Sequence, residues 1–144
     1  AKGREEHEAR LAALNAFGKD LARRAKSKCE LCERGGAKLS IHELPLAPRE
    51  PDFDRCLLLC GDCLGQVEAP RRFRPGEHWR FLAGQAWSEN PVVQALAVRL
   101  LRRQADSQDW AREALDGLFL DESVEALVQK EAEPLFSAMK RGFF

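Results

Sequence analysis

The sequence predicts a mainly α-helical chain with a small β-containing module, marked by four cysteines, inserted between its helices. Two Cys-x-x-Cys pairs, Cys29–Cys32 and Cys60–Cys63, enclose 27 residues that contain two short strand-like segments. Outside this module, apolar residues recur at three- and four-residue intervals, which is the pattern of amphipathic helices. We therefore divide the 144 residues into an N-terminal helix at 1–27, the four-cysteine module at 28–69 and a helical region at 70–144.

The first helix is predicted to run without a break over residues 4–27 and to lead directly into the first cysteine pair. Phe17 lies beside its apolar stripe, and basic residues occupy its other faces. A single helix cannot bury such a stripe alone, so it is expected to pack against another element. The stripe is formed by Leu11, Leu14, Gly18, Leu21 and Ala25.

The two cysteine pairs predict a metal site. Each pair supplies two thiolates from one tight turn, so both pairs together complete a tetrahedron around one structural Zn²⁺. Because cysteine fills all four positions, none remains for a substrate or an activated water. A rubredoxin-like iron site uses the same ligand set, and the spacing alone does not separate zinc from iron. The predicted ligands are Cys29, Cys32, Cys60 and Cys63.

The module itself is expected to be treble-clef or zinc-ribbon-like. Residues 39–44 alternate between apolar and polar, which predicts one short strand, and residues 56–60 form an apolar second strand. Three prolines between these strands predict an extended loop. Cys56, the fifth cysteine, is interpreted as a small buried core residue in preference to a reactive thiol.

His42 allows a sharper hypothesis. HNH-type nucleases also place a histidine on a strand between two Cys-x-x-Cys pairs, where it activates a water. Those enzymes usually carry a second His directly after the last pair and an Asn between the pairs. Here Leu64 follows Cys63, and no Asn lies within residues 33–59. We therefore predict a partly exposed strand histidine, and a degenerate HNH-like nuclease using His42 is an alternative function.

Helix starts in the second half are predicted from capping residues. Asn90 followed by Pro91 is a strong start signal, and Ser107 and Asp121 are the next expected caps. Pro134 is expected to end the last helix. The helix that follows Asn90 carries a full apolar stripe: Val93, Leu96, Ala97, Leu100 and Leu101.

Aromatic residues suggest a core and an interaction surface. A helix over residues 77–87 is expected to anchor Trp79 and Trp87 in the core, with a base-stacking platform as the alternative. The apolar tail that ends in Phe143 and Phe144 is expected to dock on the body or to be held by a partner.

Charge is balanced overall but unevenly spread. The formal net charge is +0, from 23 basic and 23 acidic residues, which excludes a strongly basic nucleic-acid binder. However, residues 1–28 carry eight Lys or Arg against four acids, and residues 105–133 carry nine acids against two basic residues. The basic clusters are interpreted as a solvated face that pairs with the late acidic helices, and a phosphate-binding surface is the sharper alternative hypothesis. These clusters are Arg23, Arg24, Lys26, Lys28, Arg71, Arg72, Arg74, Arg99, Arg102 and Arg103.

The expected compartment is the cytoplasm. No run of about 18 apolar residues is present, which excludes a membrane span, and the polar start of the chain is unlike a signal peptide. A reducing compartment favours metal ligation by cysteines over disulfides.

Several segments resemble the bacterial PhnA (YjdM) zinc-ribbon proteins. They are residues 21–32 (LARRAKSKCELC), 78–80 (HWR), 87–94 (WSENPVVQ) and 118–122 (LFLDE). The resemblance implies a zinc module with the four ligands named above. Longer family members end in a small SH3-like β domain, which this chain is expected to lack. The family name refers to phosphonate genes, but phosphonoacetate hydrolysis needs an open metal site with several His and Asp ligands.

Together these features predict a non-enzymatic cytoplasmic zinc protein that binds RNA, DNA or a ribonucleoprotein. The alternative is a protein-interaction adaptor or dimer built on the helical region and on Phe143 and Phe144. The sequence does not identify the ligand, the pathway or the oligomeric state.

Overall fold

The computed structural model describes residues 2–128, and the chain divides into two compact units between Phe73 and Arg74. Helices dominate, and one two-stranded hairpin lies beside the four cysteines, so the predicted fold class is confirmed. The first unit contains α1 (Lys2–Ala16), α2 (Gly18–Ala25), β1 (Leu39–Glu43), β2 (Cys56–Cys60) and α3 (Gly61–Glu68). The second contains α4 (Leu82–Gln85), α5 (Pro91–Gln104), α6 (Asp109–Asp116) and a helical segment at 122–128.

The prediction of one unbroken helix over 4–27 is wrong, because the helix is interrupted at Phe17. There the Phe17 N–H donates to the Leu14 carbonyl, three residues back, at 3.0 Å. The next residue, Gly18, is a weak helix former, and the break lets the Phe17 ring pack edge-on against Phe53 at 5.6 Å. Leu14 and Leu21 of the predicted stripe are buried, whereas Leu11 is exposed.

The hairpin forms the centre of the first unit. β1 and β2 are antiparallel, with Leu39 opposite Cys60 at one end and Glu43 opposite Cys56 at the other. Every residue of β2 is buried, in keeping with the continuous apolar sequence of that strand. α2 packs on the face that carries Leu58, and α3 packs against both strands.

A side-chain clamp ties α1 to the hairpin and its connecting loop. Arg10 donates to both carboxylate oxygens of Glu43, at 3.0 and 2.6 Å. The same guanidinium donates to the Pro48 and Arg49 carbonyls at 2.8 and 2.9 Å. This bidentate pair with two carbonyl contacts orders the proline-rich loop against the helix.

α5 is the central helix of the second unit. Its predicted stripe is buried, and so are Val92, Ala95 and Val98 outside that stripe. Asn90 caps it by accepting the Val92 N–H at 3.3 Å, and Asp121 likewise accepts the Val124 N–H at 3.2 Å. These two predicted caps are therefore confirmed.

Two predictions for this unit are wrong. α6 starts after Gln108, and the Ser107 hydroxyl instead donates to the Gln104 carbonyl at 3.4 Å. The predicted helix over 77–87 is a short 3₁₀ turn followed by α4. Trp79 is buried and donates its indole N–H to the Arg74 carbonyl at 3.0 Å, whereas Trp87 is 59% exposed.

The expectations for Pro134 and for the apolar tail with Phe143 and Phe144 fall outside the described residues. Within residues 2–128, no helix combines the length and the apolar character that crossing a membrane requires.

Candidate metal centre

The four paired cysteines meet in one cluster. Their sulfur atoms all lie within 4.8 Å of one another, and the Cys32 and Cys60 sulfurs are 3.7 Å apart. All four thiols are free, so no disulfide competes with metal binding. The cluster is a possible metal site, and among the described residues it is the only group of this kind.

The local backbone explains how each pair is presented. Cys29 donates its N–H to the Arg34 carbonyl at 3.0 Å, and the Glu33 N–H donates to the Cys29 carbonyl at 2.9 Å. Glu33 has a left-handed φ of 67°, which closes the tight turn. The second pair spans the last residue of β2 and the first turn of α3, so Cys63 comes from a helix.

The distance between the Cys32 and Cys60 sulfurs fits a tetrahedral metal ion. With metal–sulfur bonds of about 2.3 Å, tetrahedral geometry places the sulfurs about 3.8 Å apart. The observed 3.7 Å between Cys32 and Cys60 matches this value. Four thiolates would complete the coordination of such an ion, so the cluster resembles a closed structural site, a type with no open position for a substrate.

Mutual hydrogen bonding and burial shift the pKa values of three of these thiols in opposite directions. A hydrogen bond with Cys63 and nearby backbone N–H groups lower the pKa of Cys29 to about 4. The same hydrogen bond, burial and neighbouring thiolates raise the pKa of Cys63 well above its usual range. Burial also raises the pKa of Cys32. A bound dication would remove this conflict by stabilising all four thiolates.

A partly buried ion pair, in which Glu30 is the buried partner, supports the first cysteine pair from behind. Glu30, whose side chain is 5% exposed, accepts two hydrogen bonds from Arg24, at 2.9 and 2.8 Å. The same carboxylate accepts the Leu58 N–H at 2.9 Å, and the Glu30 N–H donates to the Leu58 carbonyl at 2.9 Å. Arg24 also donates to the Cys56 carbonyl at 2.8 Å. Glu30 thus joins the turn that contains Cys29 and Cys32, called the metal turn below, to α2 and to β2.

Two of the ten residues predicted to bind nucleic acid are engaged inside the fold. Arg24 is committed to Glu30, and its guanidinium also lies 5.2 Å from the centre of the Phe53 ring. Arg99 is buried in the second unit and donates to the Leu127 carbonyl. Arg103 is half-buried. The remaining seven are exposed: Arg23, Lys26, Lys28, Arg71, Arg72, Arg74 and Arg102.

Only part of the exposed basic set lies beside the cysteines. Arg23, Lys26 and Lys28 lie at the end of α2, directly before Cys29. Arg71 and Arg72 instead follow α3, which begins at the cysteine cluster and runs away from it. An exposed ion pair of Arg34 with Asp62, at 2.7 Å, links the two cysteine turns and was not predicted.

His42 differs from the predicted partly exposed residue, because it is only 3% exposed. Its Nδ1 lies 2.8 Å from a carboxylate oxygen of Glu68 at the end of α3. A histidine enclosed between a strand and a helix offers little surface to a substrate, which weighs against the nuclease alternative. His42 instead joins α3 to the face of the hairpin opposite the one on which α2 packs.

Cys56 is fully buried, as predicted for a core residue. Its thiol donates to the Asp52 carbonyl at 3.3 Å. Burial, together with the charges of Glu43 and Asp52, raises the pKa of Cys56 to about 11. The thiol therefore stays protonated and unreactive near neutral pH.

Comparison of the chain with protein-family models, with curated proteins and with solved structures finds no match.

Proposed function

We propose that the four clustered cysteines hold one structural Zn²⁺ and that the protein binds RNA or DNA, alone or in a ribonucleoprotein, through basic residues beside this site. The proposed role is non-enzymatic, since a closed Cys₄ site supplies no open coordination position. The observation that carries the proposal is the exposed basic turn, defined as Arg23, Lys26 and Lys28, next to the metal turn.

Zinc is the metal we favour. Doubled Cys-x-x-Cys pairs in a tetrahedral S₄ arrangement are typical of structural zinc, whose binding supplies folding energy to small modules. The resemblance of residues 21–32 to PhnA (YjdM) proteins also supports zinc, and membership of that family is part of the proposal. An equimolar metal content measured as iron would contradict the zinc assignment.

The basic turn is well placed for phosphate groups. Lys26 and Ser27 both have left-handed φ angles, 56° and 59°, so the chain turns sharply between α2 and the metal turn. Within residues 2–128, neither Lys26 nor Lys28 forms an ion pair. Arg23 pairs only with Asp20, at 3.7 Å and with both side chains mostly exposed, so this interaction is weak. These charges remain available to a polyanion.

A protein-interaction role is the second candidate, and exposed aromatic residues of the second unit favour it. Phe119 is 83% exposed and Trp87 is 59% exposed. Isolated apolar residues are common on protein surfaces, so this observation alone is weaker than the basic turn. The part of this hypothesis that rests on Phe143 and Phe144 lies outside the described residues.

The test is the salt dependence of binding to fluorescent 20-nucleotide RNA and DNA oligonucleotides of random sequence. Zinc-loaded protein should bind more weakly as salt rises. In the double variant Lys26→Gln/Lys28→Gln, the slope of log affinity against log salt should fall by about 1.5. The matched control, Lys2→Gln/Arg4→Gln on exposed α1, loses the same charge and should keep the slope. Salt-independent binding, undetectable binding at low salt, or equal effects in both variants would refute the proposal.

A further inference from the structure

β1 has one edge whose backbone groups point away from the hairpin. Both backbone groups of Leu58 bond to Glu30 and therefore face away from β1. In an antiparallel pair, if the backbone groups of one residue face away from the partner strand, those of the residue opposite it also face away. Because Ile41 lies opposite Leu58, the N–H and C=O of Ile41 point to the outer edge of β1. The backbone N–H and C=O groups of Leu39 and Glu43, two residues on either side of Ile41, also point to this outer edge. Within residues 2–128, no backbone hydrogen bond is made by the outward groups of these residues.

A groove of about 540 Å³ is lined by the consecutive β1 residues Leu39, Ser40 and Ile41. Leu58 of β2 and Gly18 and Ala22 of α2 also line this groove. Gly18, which has no side chain, and Ala22 lie four residues apart on one helix face, which leaves room beside the strand. The strand whose outer edge can form hydrogen bonds therefore also lines a groove with apolar side chains, and strand addition uses both features.

The charge around this groove is mainly positive. The acidic residue Asp20 pairs with Arg23 on the same helix. In the sequence, however, every charged residue directly next to a groove-lining residue of the α2 and β1 regions is basic and exposed. These residues are Lys19, Arg23, Lys26, Lys28 and Lys38. Because the whole chain has a formal net charge of +0, this is a local concentration of positive charge. It complements an acidic occupant.

We propose that this groove binds an extended acidic peptide segment of a partner protein, which adds as a third strand to the outer edge of β1. Main-chain hydrogen bonds to Leu39 and Ile41 would supply affinity, apolar side chains at alternate positions would pack beside those of Leu39 and Ile41, and acidic side chains would meet the surrounding lysines. This goes beyond the proposed nucleic-acid binding, because it assigns a protein partner and a backbone-mediated site.

The experiment selects binders from displayed random ten-residue peptides on the zinc-loaded full chain. We expect enriched sequences that alternate apolar and acidic residues. A synthetic copy of an enriched peptide should slow hydrogen exchange of the Ile41 amide by at least about tenfold. The amides of Ser40 and His42 already lie in the hairpin ladder, so their exchange should change little. Replacing the acidic residues of the peptide by lysine should weaken binding by about tenfold, as expected for a few exposed ion pairs.

The variant Ile41→Pro removes the outward N–H without removing a hydrogen bond of the ladder, and it should abolish peptide binding. Ile41→Val keeps the N–H and is the matched control. Failure to enrich peptides, equal binding to both variants, or unchanged exchange at Ile41 would overturn the proposal. Protection of Ile41 by RNA, or by raising the protein concentration without peptide, would also overturn it, since the occupant would be a nucleic acid or a second copy. Loss of RNA binding alone, with peptide binding intact, would count against the nucleic-acid proposal only.

Discussion

Arg24 and Glu30 form a bidentate ion pair, at 2.9 and 2.8 Å, directly behind the turn that presents Cys29 and Cys32. The Glu30 carboxylate also satisfies the Leu58 N–H of β2, so one acidic side chain connects α2, the metal turn and the hairpin. Arg23, the preceding residue on the same helix, makes only the exposed contact with Asp20 at 3.7 Å. Two adjacent arginines thus have different roles, one inside the fold and one on its surface.

Replacing Arg24 by alanine should destabilise the zinc-loaded protein by about 3 kcal/mol, because it leaves the buried Glu30 carboxylate without its cation. Arg23→Ala is the matched control and should change the free energy of unfolding by about 0.5 kcal/mol or less. Urea denaturation at fixed free zinc measures both. Equal effects in the two variants would show that the buried pair contributes nothing beyond an exposed one.

The metal site should depend on Cys60 and not on Cys56. Cys60→Ser removes one candidate ligand of the cluster and should weaken zinc binding by more than about 100-fold. Mutations of residues that only support a metal ligand weaken binding by up to about 100-fold, and loss of a ligand itself should have a larger effect. Cys56→Ala removes a buried thiol outside the cluster and should leave one zinc per chain. Native mass spectrometry and competition with a chelator report both values. Retention of zinc by Cys60→Ser would contradict the assignment.

The raised pKa of Cys56 predicts a stability change at high pH. The pKa is about 11 in the folded protein against an ordinary 9.0, so the neutral thiol stabilises the fold at full strength below about pH 9. This contribution is lost as the pH rises from about 9 to about 11, and the loss should reach about 2 kcal/mol. The contribution of the Cys56 thiol is measured as the difference in unfolding free energy between wild type and Cys56→Ala, followed across this pH range in the zinc-loaded protein. A difference that does not change with pH would contradict this account.

Arg99 should contribute to the stability of the second unit. Its guanidinium donates to the Leu127 carbonyl near the end of the described helical segment at 122–128. Arg99→Ala should lower the free energy of unfolding by about 2 to 4 kcal/mol, because it removes a buried charged hydrogen bond and leaves a cavity. The exposed Arg102→Ala, three residues along α5, should change it by about 0.5 kcal/mol or less. Fluorescence of the buried Trp79 and Trp110 follows this unfolding, and equal changes in the two variants would contradict the prediction.

The sequence by itself determined the features that depend on local chemistry. The spacing of the cysteine pairs predicted the four-thiol cluster, because each pair needs only one tight turn. Asn90 and Asp121 marked helix starts, because a cap bonds to backbone N–H groups two or three residues away. The buried stripe of α5 followed from its period.

Only the tertiary structure decided which basic residues face solvent. Successive residues on a helix are rotated by about 100°, so Arg23 and Arg24 point in different directions, and the packing of α2 on the hairpin selects which is buried. No local sequence pattern indicated the structural role of Glu30, because its partners Arg24 and Leu58 lie 6 and 28 residues away. His42 was expected at the surface because its alternating strand has a polar face, and α3 covers that face through Glu68. Contacts between residues distant in sequence are set by packing, and the local pattern does not contain them.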